Sequence, residues 1–141
     1  MKRIIYTLAF FVATTVAAMA QNNELPEVTN NIKFKEVTWD FGNVNEGEKP
    51  THEFLFTNIG KEPVILQNAV PSCGCTTPAW TKEPIMPGKN GNVTATYNSQ
   101  GRPGVFTKSI TVKSNFGDVM LTIKGNVIQK PEEKVSPLIQ K

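Results

Sequence analysis

The chain has 141 residues, of which 39% are hydrophobic and 19% charged, and its formal net charge is +3. This length suits a single domain with one packed core. Without its first twenty residues the chain has 13 basic and 12 acidic residues, and such a balance excludes strong electrostatic attraction to nucleic acid or an anionic membrane.

The first twenty residues have the layout of a secretory signal peptide. Lys2 and Arg3 precede an apolar run that extends from Ile4 to about Val16, and the run is followed by an Ala-Met-Ala cleavage site. The run is short for a membrane span, although an uncleaved N-terminal anchor is the alternative. We therefore expect a signal peptide at residues 1–20 that is cleaved before Gln21, no integral membrane span in the mature chain, and a periplasmic or secreted protein.

The remaining chain is dominated by strand-like alternation. Residues 21–31 and 129–141 are polar or charged without a sustained period, which predicts a flexible lead-in and a flexible C-terminal tail. Between them, apolar and polar residues alternate, and β-branched and aromatic residues are frequent. This pattern predicts seven strands at about 32–41 (with a break near Glu36), 52–58, 63–70, 76–81, 91–99, 104–114 and 117–128.

Turns rich in Gly, Asn and Pro separate these strands. Seven short alternating strands in about a hundred residues predict an all-β fold, an immunoglobulin-like antiparallel β-sandwich over residues 32–128. The last two strands should pair as a hairpin. Trp39 and Phe41 share one face of the first strand and are predicted to pack in the core, while Gly42 and Gly47 are predicted to take positive φ in turns.

Residues with catalytic or metal-binding potential are few. His52 is the only histidine, so a zinc site with two histidines cannot form within one chain. It lies at the start of a predicted strand, a position more typical of a structural residue than of a metal ligand or a general base. The sequence has no Gly-x-Ser-x-Gly elbow and no Gly-rich phosphate loop. We therefore predict no catalytic residue and no cofactor.

The segment PSCGCTTPAW, residues 71–80, contains both cysteines, Cys73 and Cys75, on either side of Gly74. Residues two apart on an extended strand point the same way with Cα atoms about 6.5–7 Å apart, so a disulfide needs a kink. Gly74 is the residue that permits one. A three-residue loop stabilises little, about 1–2 kcal/mol before strain is subtracted, so the disulfide should be easily reduced.

Several states of the cysteine pair are compatible with the sequence. Export to an oxidising compartment favours a local disulfide, and the alternatives are two ordinary thiols, thiol–disulfide chemistry, or a soft metal ion such as Cu(I) or Zn²⁺. Two thiolates are too few for a closed zinc site, so His52 and Met86 are the further candidate metal ligands beside Cys73 and Cys75.

Five segments together resemble one bacterial family, called domain of unknown function 1573. They are FGNVNEG (41–47), FLFTNIG (54–60), PSCGCTTPAW, IMPGKNGNVTATYN (85–98) and GVFTKSITVKSN with LTIKGNV (104–127). The resemblance covers about residues 34–128. It implies an exported immunoglobulin-type β-sandwich with a Cys-Gly-Cys motif, related to hydin and ASH-type modules. It implies no activity, because a shared sandwich does not carry shared chemistry.

These observations predict an exported, non-catalytic binding or assembly module of the bacterial cell envelope, whose partner is an unknown protein or envelope component. Trp80, a large aromatic beside a constrained turn, is the predicted partner contact. An exposed sheet edge that accepts an added strand is another route to a partner. The alternative is a periplasmic thiol–disulfide or copper-handling protein that uses Cys73 and Cys75.

Overall fold

The computed structural model of the protein describes residues 28–29 and 31–129. The strands are β1 (Val28–Thr29), β2 (Ile32–Phe34), β3 (Thr38–Asn45), β4 (Thr51–Asn58), β5 (Leu66–Pro71), β6 (Thr76–Trp80), β7 (Asn90–Tyr97), β8 (Gly104–Ser114) and β9 (Gly117–Ile128). Nowhere in this part of the chain is there a helix with the length and apolar character needed to span a membrane. The predicted signal peptide and residues 130–141 of the predicted tail lie outside the described residues.

The strands form two sheets, so the predicted β-sandwich is confirmed. Sheet A has the order β1-β2-β4-β7-β6, and sheet B has the order β3-β9-β8-β5. Neighbouring strands are antiparallel, as predicted, apart from β3 and β9, which run parallel. The predicted hairpin of β8 and β9 is confirmed, with eleven register pairs from Gly104↔Val127 to Ser114↔Gly117.

The predicted break near Glu36 is the place where the chain changes sheets. The Lys35 N–H donates to Leu55 O in sheet A, and Val37 O accepts the Thr122 N–H in sheet B. Residues 35–37 therefore carry the chain across the sandwich between β2 and β3. At the other end of β2, Val28–Thr29 pairs with Ile32 and Lys33, so paired structure begins inside the segment that was predicted as a flexible lead-in.

The core lies between the two sheets and is built from the alternating residues that the sequence indicated. Phe34, Phe54 and Phe56 are fully buried on the inner face of sheet A, and Ile110, Leu121 and Ile123 are buried opposite them on sheet B. Such aromatic and branched side chains dominate the burial of a small core.

Trp39 does not belong to this core, so its predicted burial was wrong. It is 36% exposed, because β3 is the outermost strand of sheet B and its side chains reach the rim of the sandwich. Phe41, on the same strand, is partly buried and packs against the core as expected. The predicted positive φ values are confirmed at Gly42, with φ 63°, and at Gly47, with φ 92°.

Candidate functional site

The chain changes sheets a second time at residues 72–75, which we call the corner. On the sheet B side, the Ser72 N–H donates to Ser109 O at 2.8 Å. On the sheet A side, Cys75 O accepts the Asn98 N–H at 2.8 Å, and the Thr76 N–H donates to Cys73 O at 3.3 Å. Backbone hydrogen bonds to both sheets therefore fix the corner independently of its side chains.

Cys73 and Cys75 form a disulfide across this corner, with their Cα atoms 5.3 Å apart. This separation is shorter than the roughly 6.5–7 Å of an extended strand, so the chain is bent here. Gly74 is not among the glycines with positive φ, and an added Cβ at this position would have nothing within 4 Å. The bend therefore does not need a glycine, which corrects the structural role that the sequence suggested for Gly74.

The two sulfurs of the disulfide have different surroundings. Cys75 is 7% exposed and belongs to the core cluster, whereas Cys73 is partly buried at its margin. Thr76 is only 3% exposed, and its Oγ1 lies 3.7 Å from Cys73 Sγ and 4.0 Å from Cys75 Sγ. Because disulfide sulfurs carry no hydrogen, the Thr76 hydroxyl is the donor in these contacts.

The structure does not bring the further candidate metal ligands to the cysteines. Met86 is 54% exposed and lies at the opposite end of sheet A, beside the turn where the Gly88 N–H donates to Asn58 O. Within the described ranges, no three residues of the His, Cys, Asp or Glu types cluster closely enough to hold a metal ion.

His52 belongs to a separate cluster at the rim of the sandwich. Its Nε2 lies 3.0 Å from Glu36 Oε1, and its ring stacks on Trp39 with centroids 3.9 Å apart. The edge contact with Phe54, at 4.7 Å between centroids, closes the cluster on the core side. His52 therefore packs at the start of β4 and connects that strand to Glu36, in the segment that crosses between the sheets.

Trp80 packs against the core from β6, the last strand of sheet A. The Lys82 ammonium lies 3.0 Å from the centroid of its ring, and the indole Nε1 is buried with no hydrogen-bond partner in the described chain. The exposed residues at this place are Ser72 and Gly74 in the corner and Thr77 directly after it in β6.

The free edge of β6 is protected against the addition of another strand. Thr81 bonds to Asn92 in β7 and Cys75 bonds to Asn98 directly after β7, and bonding residues alternate along an antiparallel strand. Residues 75, 77, 79 and 81 thus face β7, and the nitrogen of Pro78 faces the free edge. A proline there offers no donor to an incoming strand.

The free edge of β5 is protected in a similar way. Because Ser72 bonds to β8, the same alternation turns the backbone nitrogens of Ala69 and Pro71 outward. The Ala69 N–H is bound by the side-chain Oδ1 of Asn68 at 2.9 Å, and Pro71 has no N–H. The two edges that meet at the corner are therefore poor templates for strand pairing.

The edge of β8, in contrast, is open beside the corner. The paired part of β5 ends at Pro71, opposite Ile110, whereas β8 extends back to Gly104. Residues 104–108, which we call the β8 overhang, therefore have β9 on one side and no strand of the described chain on the other. The corner produces this overhang, because it carries the chain away to sheet A.

The backbone groups of the β8 overhang point into the open side. Ser109 bonds to Ser72 of the β5 side, so the alternation directs the N–H and C=O groups of Val105 and Thr107 the same way. No hydrogen bond from the described residues reaches these four groups. Val105 is 85% exposed, and a cavity of about 280 Å³ lined by Val105, Thr107 and Asn126 adjoins it.

The β8 overhang was not among the predicted sites. Its only signal in the sequence is that the strand predicted at 104–114 is longer than the one at 63–70. That difference becomes informative only when the two strands are known to be neighbours, as β5 and β8 are here.

Solved structures with the same fold are distant in sequence. A protein of unknown function from Porphyromonas gingivalis W83 is 14% identical with a TM-score of 0.59, over 68% of this chain and 46% of that chain. The PapD-like domain 7 of human CEP192, an ASH / PapD-like domain, is 14% identical with a TM-score of 0.59, over 87% of this chain and 99% of that chain. At these identities the likeness shows the fold alone.

A further solved structure, the secreted serine protease VesC from Vibrio cholerae, is 18% identical with a TM-score of 0.53, over 69% of this chain. The chain spans 46% of the P. gingivalis protein and 23% of VesC. No curated protein matches the chain. The family model described as "Protein of unknown function (DUF1573)" matches residues 32–127, and the chain belongs to this family.

Proposed function

We propose that the protein is an exported, non-catalytic immunoglobulin-like module that binds a partner in the bacterial cell envelope. In this proposal an extended segment of the partner pairs with the β8 overhang. The observation that carries it is that the N–H and C=O groups of Val105 and Thr107 have no hydrogen-bond partner in the described chain. The neighbouring free edges of β5 and β6, in contrast, are protected. Strand addition to such an edge supplies main-chain hydrogen bonds for affinity.

The geometry of the corner indicates how the partner segment would run. It would continue the line of β5 past Ser72, antiparallel to β8, because that is the position that the chain vacates. Specificity would come from side chains on alternate residues. The Val105 side chain and the adjoining cavity, which is also lined by Asp40 and Lys124, offer an apolar contact flanked by charges of both signs.

Two observations support export. The first twenty residues have the basic, apolar and small-residue order of a signal peptide. The cysteine pair is a disulfide, and disulfides persist mainly outside the reducing cytosol. Expression of the full chain in a Gram-negative host, followed by fractionation and intact-mass measurement, tests this part. We expect a periplasmic or released product that begins at Gln21 and is 2 Da lighter than the dithiol. A cytoplasmic, uncleaved product would contradict export.

The binding mode is tested by site-specific crosslinking in the native host. A benzophenone amino acid at position 105 should give a discrete adduct with one envelope component. The same probe at Met120, which is also exposed on sheet B, should not. Thr107→Pro removes an outward N–H without touching the β9 ladder, so we expect it to lower the adduct yield at least about tenfold.

The variants must first be shown to fold. Circular dichroism and thermal melting of Thr107→Pro should match the parent, since the substitution lies on an open edge. If the adduct at position 105 forms equally with and without Thr107→Pro in folded protein, strand pairing at the β8 overhang is wrong. If positions 105 and 120 give the same adduct, recognition is not confined to this edge.

A second candidate function is thiol–disulfide exchange or copper handling at Cys73 and Cys75. The specific observation in its favour is that the Cys73 end of the disulfide reaches the margin of the core while a buried hydroxyl faces both sulfurs. Copper handling is the weaker form, because Met86 lies at the far end of sheet A and His52 already contacts Glu36. Two sulfurs from one chain leave a metal site incomplete.

A further inference from the structure

The Cys73–Cys75 disulfide closes a loop of three residues in a corner that is already held by other bonds. Its sequence separation is 2, so the loop is very short and the entropic stabilisation is small. Two backbone hydrogen bonds, to Ser109 O and from the Asn98 N–H, tie residues 72–76 to the two sheets, and a third closes the turn within the segment. Opening the disulfide therefore leaves the fold in place, so the pair can change its redox state while the protein stays folded.

The two cysteines differ in how an incoming thiol can reach them. Cys73 lies at the margin of the core, and Gly74 beside it has open space where a side chain would stand. Cys75 is buried among core residues. Exchange requires in-line access to one sulfur, and Cys73 is the one with access.

Thr76 gives the pair a fixed hydrogen-bond donor. Thr76 is buried, and its hydroxyl lies within 4.0 Å of both sulfurs. A contact of this kind is weak toward a disulfide sulfur but stronger toward a thiolate, because charge-assisted hydrogen bonds are about twice as strong as neutral ones. Thr76 is therefore placed to stabilise the thiolate that appears when the disulfide opens.

We infer that the corner is a thiol–disulfide exchange site in which Cys73 carries the mixed disulfide, Cys75 is the leaving group when the partner thiolate attacks, and Thr76 is a positioning residue. The inference rests on the exchange candidate above and goes beyond the binding function. The substrate class is a dithiol on an extended segment of an exported protein. The β8 overhang favours this class, since a strand paired there would begin beside Ser72, next to Cys73.

The reaction balances as a two-electron transfer. A partner thiolate attacks Cys73 Sγ, the bond between Cys73 and Cys75 breaks, and the electron pair leaves with Cys75 Sγ, which takes a proton from solvent. The second partner thiolate then attacks the partner sulfur of the mixed disulfide, and Cys73 Sγ leaves and is protonated. The partner is oxidised to a disulfide, the cysteine pair is reduced to a dithiol, and the partner's two protons pass through solvent.

Single-cysteine variants with oxidised glutathione as the probe test the assignment. Reduced Cys75→Ser, which keeps Cys73, should form the mixed disulfide at least about tenfold faster at pH 7 than reduced Cys73→Ser, as followed by intact mass. In the Cys75→Ser background, Thr76→Val should move the midpoint of the alkylation-rate profile to higher pH, and Thr76→Ser should restore it. Melting curves establish that each variant is folded.

A parallel measurement separates this assignment from the exchange function itself. The wild-type protein is incubated in glutathione redox buffers, and its disulfide fraction is read by alkylation and mass. If the pair equilibrates with glutathione but the two single-cysteine variants react at equal rates, or Cys73→Ser reacts faster, the assignment of roles is overturned while exchange stands. If the folded wild-type pair stays oxidised in excess reduced glutathione, the exchange function fails, and the inference fails with it.

Discussion

Gly74 is the residue at the corner whose identity the fold explains least. It has no positive φ, and nothing lies within 4 Å of a Cβ built on it. Gly91, in β7, is the opposite case, because an added Cβ would come within 2.5 Å of Phe56 Cζ and 3.0 Å of Ile85 Cγ1 in the core. The two glycines thus provide a matched pair for separating a structural need from an open position.

We expect Gly74→Ala to leave the free energy of unfolding within about 0.5 kcal/mol of the parent, with the disulfide intact, because the substitution is solvent-exposed and unstrained. Gly91→Ala should lower it by about 1–3 kcal/mol through overpacking against Phe56. Urea denaturation of both variants checks this. A loss at Gly74→Ala as large as that at Gly91→Ala would show that the bend of the corner requires glycine after all.

Among the individual residues, those in turns are the ones whose hydrogen bonds the sequence predicts well. An asparagine two residues before a glycine is typical of a turn, and the Oδ1 of Asn58 accepts the Gly60 N–H at 2.9 Å. Its Nδ2 also donates to Glu62 O and Ile85 O, at 2.7 and 2.8 Å. The first bond is local and readable from residue types, whereas the bond to Ile85 depends on a distant loop and was not predictable.

At the scale of the strands, alternation predicted faces but not neighbours. The strands predicted at 104–114 and 117–128 agree with β8 and β9 to the residue, because period-two alternation is strong in both. The β8 overhang depends instead on where β5 ends and the corner begins, which is a fact of sheet order. The rim position of Trp39 has the same origin, since only the sheet order makes β3 an outermost strand.

Pro78 protects the edge of β6, and this role can be tested by restoring the missing donor. Pro78→Val adds an outward N–H to the outermost strand of sheet A, so we expect concentration-dependent association of the folded protein. Thr77→Val is the matched control, because the N–H of residue 77 already faces β7 and the change adds an apolar side chain without an edge donor. Size-exclusion chromatography with light scattering measures both variants.

Two different results for this pair of variants would contradict the prediction, and each has its own meaning. If Pro78→Val associates no more than the parent over the same concentration range, then Pro78 is not what protects the edge. If Thr77→Val associates as strongly as Pro78→Val, added apolar surface rather than the backbone donor causes the association.

The sandwich as a whole is closed along its β5–β6 side by three different contacts. At one end, Val64 and Ile85 exchange backbone hydrogen bonds of 2.9 and 2.8 Å. At the other end the chain itself passes from sheet to sheet through the corner, and Trp80 packs against the core from the β6 edge. The disulfide lies within the corner and does not link two separate strands. The two sheets are therefore held together on this side by packing and backbone hydrogen bonds.

Reduction of the disulfide should therefore cost the whole molecule little. We expect the free energy of unfolding in urea to fall by less than about 2 kcal/mol when a phosphine reductant is added, because the disulfide closes a very short loop. The double variant Cys73→Ser, Cys75→Ser is the control for the reductant and should match the reduced parent. Unfolding on reduction would mean that the disulfide holds the two sheets together.

Replacement of Trp80 should cost the molecule more. Trp80→Ala should lower the free energy of unfolding by about 2–4 kcal/mol, since it removes a large side chain packed on the core. Lys82→Ala removes only the cation over the ring and should lower it by about 0.5–1 kcal/mol. A Trp80→Ala protein as stable as the parent would place Trp80 at the surface, as a partner contact.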